Sequence, residues 1–531
     1  MTKYDAIIIG AGHNGLVTAA YLAKAGKKVM VLERRPVVGG ASATEEIYPG
    51  FKYSTCAHVC SSLHPLIIQD LELQRHGLEI LPLDPILVAP MQDGGPLTIW
   101  RESSKTIEEI ERFSKPDAAS YPRFSFLMKK LAALVRDLWL AIPPDPVGGK
   151  LQDFLEMLKI GWGMRKLGNR DMEDAFRILP MSIADLLAEW FETDALKGVL
   201  AAGGILGAFL GPRAQGTAYI FLHHFPASAE PSQGWGWVRG GMGNLPTAIA
   251  EAAKRYGAEI RTDAQVARVT VKDEMATGVV LQNGDEISAR MVISNADVRN
   301  TFFKLIDPVQ LDPDFALQAR NVRFRGACAK INLALGELPD FRTLRTNATI
   351  PDLHGLVRIA PDIDYLERAY DDAKYGEVSK KPFLEIAVPS VTDPSLAPPG
   401  RHVMSALMQY APYRLRSGGW EQRREELGDL VVETLSNYAP NLKQSILHRQ
   451  VLTPVDLEET YGLTEGSFHQ GEMSLDQLFF MRPIPGWAQY RTPIKNLYLC
   501  GASAHPGGGI TGVPGRNAAR EILKDWRKVK G

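Results

Sequence analysis

At 531 residues the chain is too long for one compact core and long enough for two. Its 60 basic and 61 acidic residues nearly cancel and form no long single-sign blocks, so nothing in the charge suggests a nucleic-acid partner or a strongly basic membrane surface. Four cysteines are too few for a disulfide scaffold and point to a reducing compartment; with the first strand starting a few residues after Met1, no cleaved leader is expected and the expected location is the cytoplasm.

The first element is a strand through Ile7, Ile8 and Ile9 that runs into Gly10-Ala11-Gly12-His13-Asn14-Gly15 and then a helix over 15–25, closed by Gly26. This is the pattern of a dinucleotide phosphate cradle. Gly10 permits the tight turn, Gly12 lets backbone approach a pyrophosphate, and Gly15 lets the helix pack closely on the strand. The helix start, with His13 and Asn14 in its first turn, turns unpaired N–H groups toward the phosphates. A second strand, Val29 to Leu32, delivers Glu33, which can accept from both ribose hydroxyls of an adenosine. Next come Arg34, placed to lie over the adenosine, and Gly39-Gly40-Ala41, a glycine pair that lets the backbone reach the pyrophosphate.

A helix-rich stretch follows over about 90–215, broken by Pro143, Pro144 and Pro146. Within it, Leu151, Phe154, Leu155, Leu158 and Trp162 recur at helical spacing beside Lys159, Arg165 and Lys166, and core packing is the default for that face. Gly198 to Leu210 is the most apolar run and is too short to span a bilayer; a buried helix near the ligand is the first reading, a monotopic membrane contact the second. His223, His224, Phe225, Trp235 and Trp237 are candidates to line a substrate cavity, with ordinary core packing as the alternative.

From Trp235 onward the pattern returns to the first type. A helix over 245–256 leads to strands around Ile260, Val266 to Val271 and Val279 to Leu281, then a hairpin turn at Asn283-Gly284 and a strand from Met291 to Ile293. Gly241-Met242-Gly243-Asn244-Leu245-Pro246 resembles a second nucleotide fingerprint, but Pro246 stands where the third glycine belongs, so no separate NAD(P) domain is expected. Over 310–480 the predicted strands include Ala329 to Leu335, with Ile331, Leu333 and Leu335 on one face and Lys330 and Asn332 on the other. Phe383 to Val388 and His402 to Tyr410 are its expected sheet partners.

The last block is a strand over 496–500, then Gly501 and the glycine-dense run through Gly509, Thr511, Gly512 and Val513, then a helix to about Trp526. Such glycine density suits a flat ring lying on backbone, with the helix start aimed where a flavin gathers negative charge. His505 opens this run and is the candidate for a polar group beside the substrate, with a structural cap of equal standing. The expected fold is α/β, a Rossmann-like FAD-binding domain of glutathione reductase type interleaved with a mixed α+β substrate domain. Its expected parts are 1–85, 220–305 and 481–531 for the FAD-binding domain, 86–219 for a helical insertion, and 306–480 for the substrate-domain sheet and helices.

The opening fingerprint, Trp237-Val238-Arg239-Gly240-Gly241-Met242-Gly243, Ser474-Leu475-Asp476-Gln477-Leu478, Arg482-Pro483 and Leu497 to Gly509 together resemble the phytoene desaturase branch of flavin oxidoreductases over nearly the whole chain. The resemblance implies non-covalent FAD, with the backbone of Val266 on the adenine, and a variable domain that holds a hydrophobic substrate. It also implies that Ser54 to Cys60 passes close to the flavin. Cys56 and Cys60 are separated by three residues, not the two of a dithiol relay, so small buried residues lining the cofactor and a redox pair stand as the two readings. No metal site is expected.

The expected function is FAD-dependent hydride transfer between flavin N5 and a largely apolar small molecule, in carbon–carbon desaturation or saturation. The alternatives are an amine oxidase acting on C–N bonds and a flavin-binding regulatory protein with little catalysis. Oxygen or a quinone is expected as electron acceptor rather than NAD(P), and any membrane contact is expected to be peripheral.

Overall fold

The computed structural model describes residues 4–91, 95–149, 151–165, 168–226, 234–341 and 353–528. Two seven-stranded sheets organise it. In the first, Tyr4–Ile9 lies centrally, parallel to Val29–Leu32 on one side and to Glu286–Ser294 on the other. Glu259–Arg261 extends the sheet beyond Val29–Leu32, and Leu497–Leu499 pairs in parallel with the end of Glu286–Ser294. The start of Glu286–Ser294 continues into an antiparallel ribbon with Met275–Leu281 and Val266–Lys272, turned at Gly284. Ile7, Ile8, Val29 and Val31 are fully buried, as a parallel strand covered on both faces requires. Helices His13–Lys24, Asn244–Arg255 and Val513–Lys528, far apart in sequence, pack together beside it.

The second sheet runs in the order Ile446–Leu452, Cys328–Leu335, His402–Gln409, Phe383–Ala387, Leu356–Ile359, Leu87–Ala89, Leu97–Ile99. The stretch expected to be a helical insertion therefore opens near two strands that belong to this sheet. The alternation read in Ala329 to Leu335 separates two environments. Ile331, Leu333 and Leu335 join a core with Leu427, Val431 and Leu435 of helix Trp420–Ser436, while Lys330 faces a large cavity between the sheets. The polar face is also buried: Asn332 donates to the Thr55 carbonyl and Lys330 meets His58, both on the segment that follows the first glycine loops.

Two expectations need correction. The helix Leu151–Arg165 forms, but Leu151, Phe154, Leu155, Leu158 and Trp162 are not in the core: Leu151 is 74% exposed and Trp162 72%. Nothing among the described residues covers that face; Lys166 and Leu167 lie outside the described residues. The run from Gly198 is helical only to Ala201, in the helix Asp194–Ala201, then turns through Ala202–Gly204 into a loop whose Leu206 reaches the cavity. Among the described residues, no helix is long and apolar enough to cross a membrane.

Candidate active site

The cavity holds about 850 Å³, toward the upper end of small-molecule sites, and runs from the first sheet's strand ends to the face of the second sheet. Its first end is built by glycines. Gly10 has φ +93°, a backbone state open to glycine, and turns the chain off Tyr4–Ile9. A Cβ on Gly15 would lie 2.3 Å from the Gly10 carbonyl oxygen, so Gly15 sits beneath the turn rather than on the cavity wall. Gly12 bridges to Gly39, whose N–H donates to the Ala11 carbonyl at 2.8 Å, stitching the two glycine loops together. Gly10, Gly12, His13, Asn14, Gly39, Gly40 and Ala41 line this end. No side chain caps helix His13–Lys24, and its first turn has no acidic residue, so its positive end is open to the cavity.

Glu33 is buried, and both carboxylate oxygens accept backbone N–H groups: Oε2 from Ala11 at 2.8 Å and Oε1 from Arg35 at 2.9 Å. It thus fixes the cradle while its remaining lone pairs face the cavity, which it lines together with Arg34 and Val266. Arg34 donates to the carbonyls of Glu459 (2.9 Å) and Thr460 (2.7 Å), closing the rim opposite. The Gly241-Met242-Gly243 turn has another task. The Met242 and Gly243 amides donate to Ser54 Oγ and Thr44 Oγ1 and anchor the hairpin of Thr44–Tyr48 and Phe51–Ser54.

Of the C-terminal run, Gly509 lines the cavity with φ +91°, while Gly501, Thr511, Gly512 and Val513 lie behind the wall. His505 also lies outside the cavity lining. Its ring is buried, Nε2 donates to the carbonyl of Leu138 at 3.0 Å, and burial pushes its pKa down to about 4, so it closes the last turn of helix Lys115–Leu140 as a neutral ring. Among the aromatic candidates His224 alone lines the cavity. Trp237 donates Nε1 to the His354 carbonyl (2.8 Å), His223 Nε2 pairs with the Gly508 carbonyl (2.9 Å), Phe225 packs on Phe221, and Trp235 is buried elsewhere. Arg482 is a fully buried clamp, donating to the carbonyls of His469, Glu472 and Ala502.

The cavity's second end carries a cluster that spacing did not reveal. The sheet register aligns Lys330 with Leu407, Leu407 with Glu385, and Glu385 with Arg358 across four adjacent strands. His58, from the loop after the Phe51–Ser54 strand, bridges this row. Lys330 Nζ lies 2.8 Å from His58 Nδ1, His58 Nε2 3.2 Å from Glu385 Oε1, and Arg358 Nε donates to Glu385 Oε2 at 2.6 Å. Glu385 is held well below the usual carboxylate range by Arg358 and His58 against the opposing effect of burial. Burial and the neighbouring Lys330 push His58 down, and burial pushes Lys330 down to about 8. Cys56 lines the same end, its thiol pushed up to about 11 by burial, while Cys60 is pushed up to about 12 and donates to the Gly234 carbonyl; both are free thiols. Among the described residues no cluster of three metal-ligating side chains forms.

The cradle fits a dinucleotide on direct observations. His13 Nε2 and Asn14 Oδ1 are buried at the helix start without a partner, and at the far end so are His224 Nε2 and His469 Nδ1. Buried polar atoms without a protein partner leave room for a ligand or water to meet them, and these four line the cavity. A Cβ on Gly12 would lie 2.7 Å from Asn295 Nδ2, so a side chain there would crowd the cavity wall at the helix start.

A family model described as "Flavin containing amine oxidoreductase" matches residues 15–523. The chain is 40% identical over 548 aligned positions to pyridine nucleotide-disulfide oxidoreductase domain-containing protein 2 of Rattus norvegicus, covering 99% of this chain and 94% of that one. It is 29% identical to a limonene dehydrogenase subunit of Castellaniella defragrans (98% and 94% covered) and 26% identical to the lycopene-forming phytoene desaturase of Pseudescherichia vulneris (96% of each). Among solved structures, putrescine oxidase bound to putrescine superposes with a TM-score of 0.61 at 17% identity over 99% of both chains, a likeness of fold. With the cradle, the interleaved sheets and the match along nearly its full length, the chain belongs to the flavin-containing amine oxidoreductase family and is an FAD-dependent oxidoreductase.

Proposed function

We propose that this oxidoreductase moves hydride between its flavin and a largely apolar substrate, forming or saturating a carbon–carbon double bond. The observation that carries the reading is the second end of the cavity. Beyond the cradle its walls include Leu206, Leu407, Phe468 and Ile510, with polar groups set among them: Lys330, His58 and Glu385 on the sheet, and His224, His469 and Gln470 elsewhere on the wall. An apolar substrate fits such walls, and the Lys330–His58 pair is one point where a proton can be handled. The names of two relatives, one a limonene dehydrogenase subunit and the other a phytoene desaturase, support the same class.

Gly10, Gly12, His13, Asn14, Glu33, Arg34, Gly39, Gly40, Ala41, Val266 and Gly509 are the residues that would hold FAD. Bound FAD supplies a two-electron acceptor or donor. The protein binds and orients it and keeps the second end of the cavity shielded. Electrons leave to oxygen or a quinone. The exposed apolar face of Leu151–Arg165, beside Lys159 and Arg165, is the surface through which the protein would touch a membrane that stores an apolar substrate.

The test is product analysis. Holoprotein incubated with detergent-dispersed limonene or phytoene and a soluble quinone should yield products lighter by two hydrogens in mass spectrometry. Unchanged hydrocarbons together with conversion of putrescine and release of hydrogen peroxide would replace this reading with amine oxidation. A bound flavin that neither class reduces would point to a regulatory protein.

A further inference from the structure

The apolar walls of the cavity's second end come from different kinds of structure. Leu407 stands on a strand of the second sheet, whereas Leu206 stands on a loop between the turn Ala202–Gly204 and helix Thr217–His224. A loop wall ordinarily yields to a ligand that presses on it. This one is tied down. Gln409, the last residue of strand His402–Gln409, is fully buried, and both ends of its amide reach the loop. Nε2 donates to the carbonyls of Ile205 (2.8 Å) and Ala208 (3.1 Å), and Oε1 accepts the Gly207 N–H (3.0 Å) and the Cys328 thiol (3.2 Å). The amide's two hydrogens and two lone pairs are thereby all used. His469 Nε2 donates to the Leu206 carbonyl at 3.1 Å, and the Tyr410 hydroxyl donates to the Leu210 carbonyl at 2.6 Å. Gly207 holds φ +71°, and a Cβ there would lie 2.2 Å from Phe468 Cζ, so the loop backbone rests against a ring that itself lines the cavity.

We propose that Leu206 is a specificity-determining residue, setting the size of apolar group that the second end accepts, and that Gln409 is a positioning residue that holds it in place. This rests on the apolar-substrate reading above and names what the site sorts by. Moving Leu206 outward means pulling its loop off Gln409, which leaves the Ile205 and Ala208 carbonyls, the Gly207 N–H and the buried amide itself without partners. Unmade hydrogen bonds of that kind are expensive in a site closed to water. A group too large for the space beside Leu206 is therefore refused rather than accommodated, and a compact one keeps contact with both Leu206 and Phe468. A fixed apolar wall of this sort discriminates by single carbons, each worth about 10-fold or more in favourable pockets. The polar clamp thus serves the selection of a molecule that carries no polar group to recognise.

The test treats wall and clamp separately. Rapid mixing of FAD-loaded protein with detergent-dispersed limonene or phytoene, followed through the flavin absorbance without oxygen, gives for each an apparent dissociation constant and a limiting rate of reduction. Leu206 is only half-buried, so Leu206→Ala should fold as the parent does. It should weaken compact limonene relative to long phytoene by about 10-fold or more, with the limiting rates little changed. Leu206→Phe should move the ratio the other way. Gln409→Leu keeps a side chain of similar size but none of its hydrogen bonds. The Gly207 amide, protected in the parent, should then exchange faster with deuterium, and the limonene-to-phytoene ratio should move toward that of Leu206→Ala.

A ratio unchanged in both Leu206 variants overturns the proposal for the wall, and a folded Gln409→Leu with parental exchange and parental ratio overturns it for the clamp. If neither hydrocarbon perturbs or bleaches the flavin of the parent, the hydrocarbon reading fails separately. The ratio is then read with a smaller and a larger amine, putrescine and cyclohexylamine, and Leu206→Ala must shift it toward cyclohexylamine or the proposal falls. A parent that binds none of the four also overturns it.

Discussion

Gly12 and Gly15 are both glycines of one turn, yet a side chain would fail at each for a different reason. At Gly12 the obstacle to a Cβ is the end of the Asn295 side chain, which can move, whereas at Gly15 it is the Gly10 carbonyl, which cannot. Gly12→Val should therefore fold with a nearly unchanged apoprotein melting temperature but lose FAD, as calorimetry with added FAD would read. Gly15→Ala gains about 1 kcal/mol of helix propensity, but forcing backbone aside costs about 1–3 kcal/mol, so denaturant unfolding should show a net loss. Lys330 gives a pH signature of its own. The unfolded chain keeps this proton up to an ordinary lysine value of 10.5, while the folded chain releases it near 8, so in that window protonation favours unfolding. Stability should rise with pH from about 8 to 10.5 relative to Lys330→Met, as urea midpoints measured in pairs at each pH would show; parallel curves would refute it.

At the scale of elements, the helix Leu151–Arg165 separates two uses of the same apolar spacing. Were Leu158 and Trp162 in a core, changing both to glutamate would cost several kcal/mol; exposed as they are, the double variant should melt within about 1 °C of the parent. The same variant should lose co-flotation with vesicles of neutral and anionic phospholipid, and equal flotation would remove the proposed membrane contact. Helical periodicity states which residues share a face but not what covers that face, and for this reason the sequence reading placed these residues in a core. The nucleotide cradle was legible because its parts are local: a strand, a glycine turn and a helix within about thirty residues, then Glu33. The acid–base row was not, because His58, Lys330, Arg358 and Glu385 meet only through the register of four strands and a loop from the far part of the chain. A signal was present in Lys330, which shares one face of its strand with Asn332, and in Glu385, the one charged residue of Phe383–Ala387. His505 carried two readings of equal standing, because proximity in sequence to the glycine run does not say which way a ring turns, and its contact with the Leu138 carbonyl is that of a cap, at a helix end rather than a strand end.

Across the whole molecule, the cavity is shared by segments from most of the chain: the turn at Gly10–Gly15, Glu33 and Gly39–Ala41, Val266, the second sheet at Lys330 and Glu385, and Gly509. A ligand touching all of them ties the two sheets together and binds the native state alone, so FAD at about 100 times its dissociation constant should add about 2.7 kcal/mol to stability. Thermal melts with and without FAD should show that gain in the parent and lose it in Gly12→Val. The cradle end explains how the flavin is held, and the sheet end, with Leu206, Leu407, Phe468 and Ile510 around a few buried polar groups, bears on what it would act on. The most direct test is anaerobic: FAD-loaded protein mixed with limonene or phytoene in detergent and followed through the visible flavin absorbance. The account predicts bleaching by the hydrocarbons and none by putrescine; bleaching by putrescine alone would contradict it.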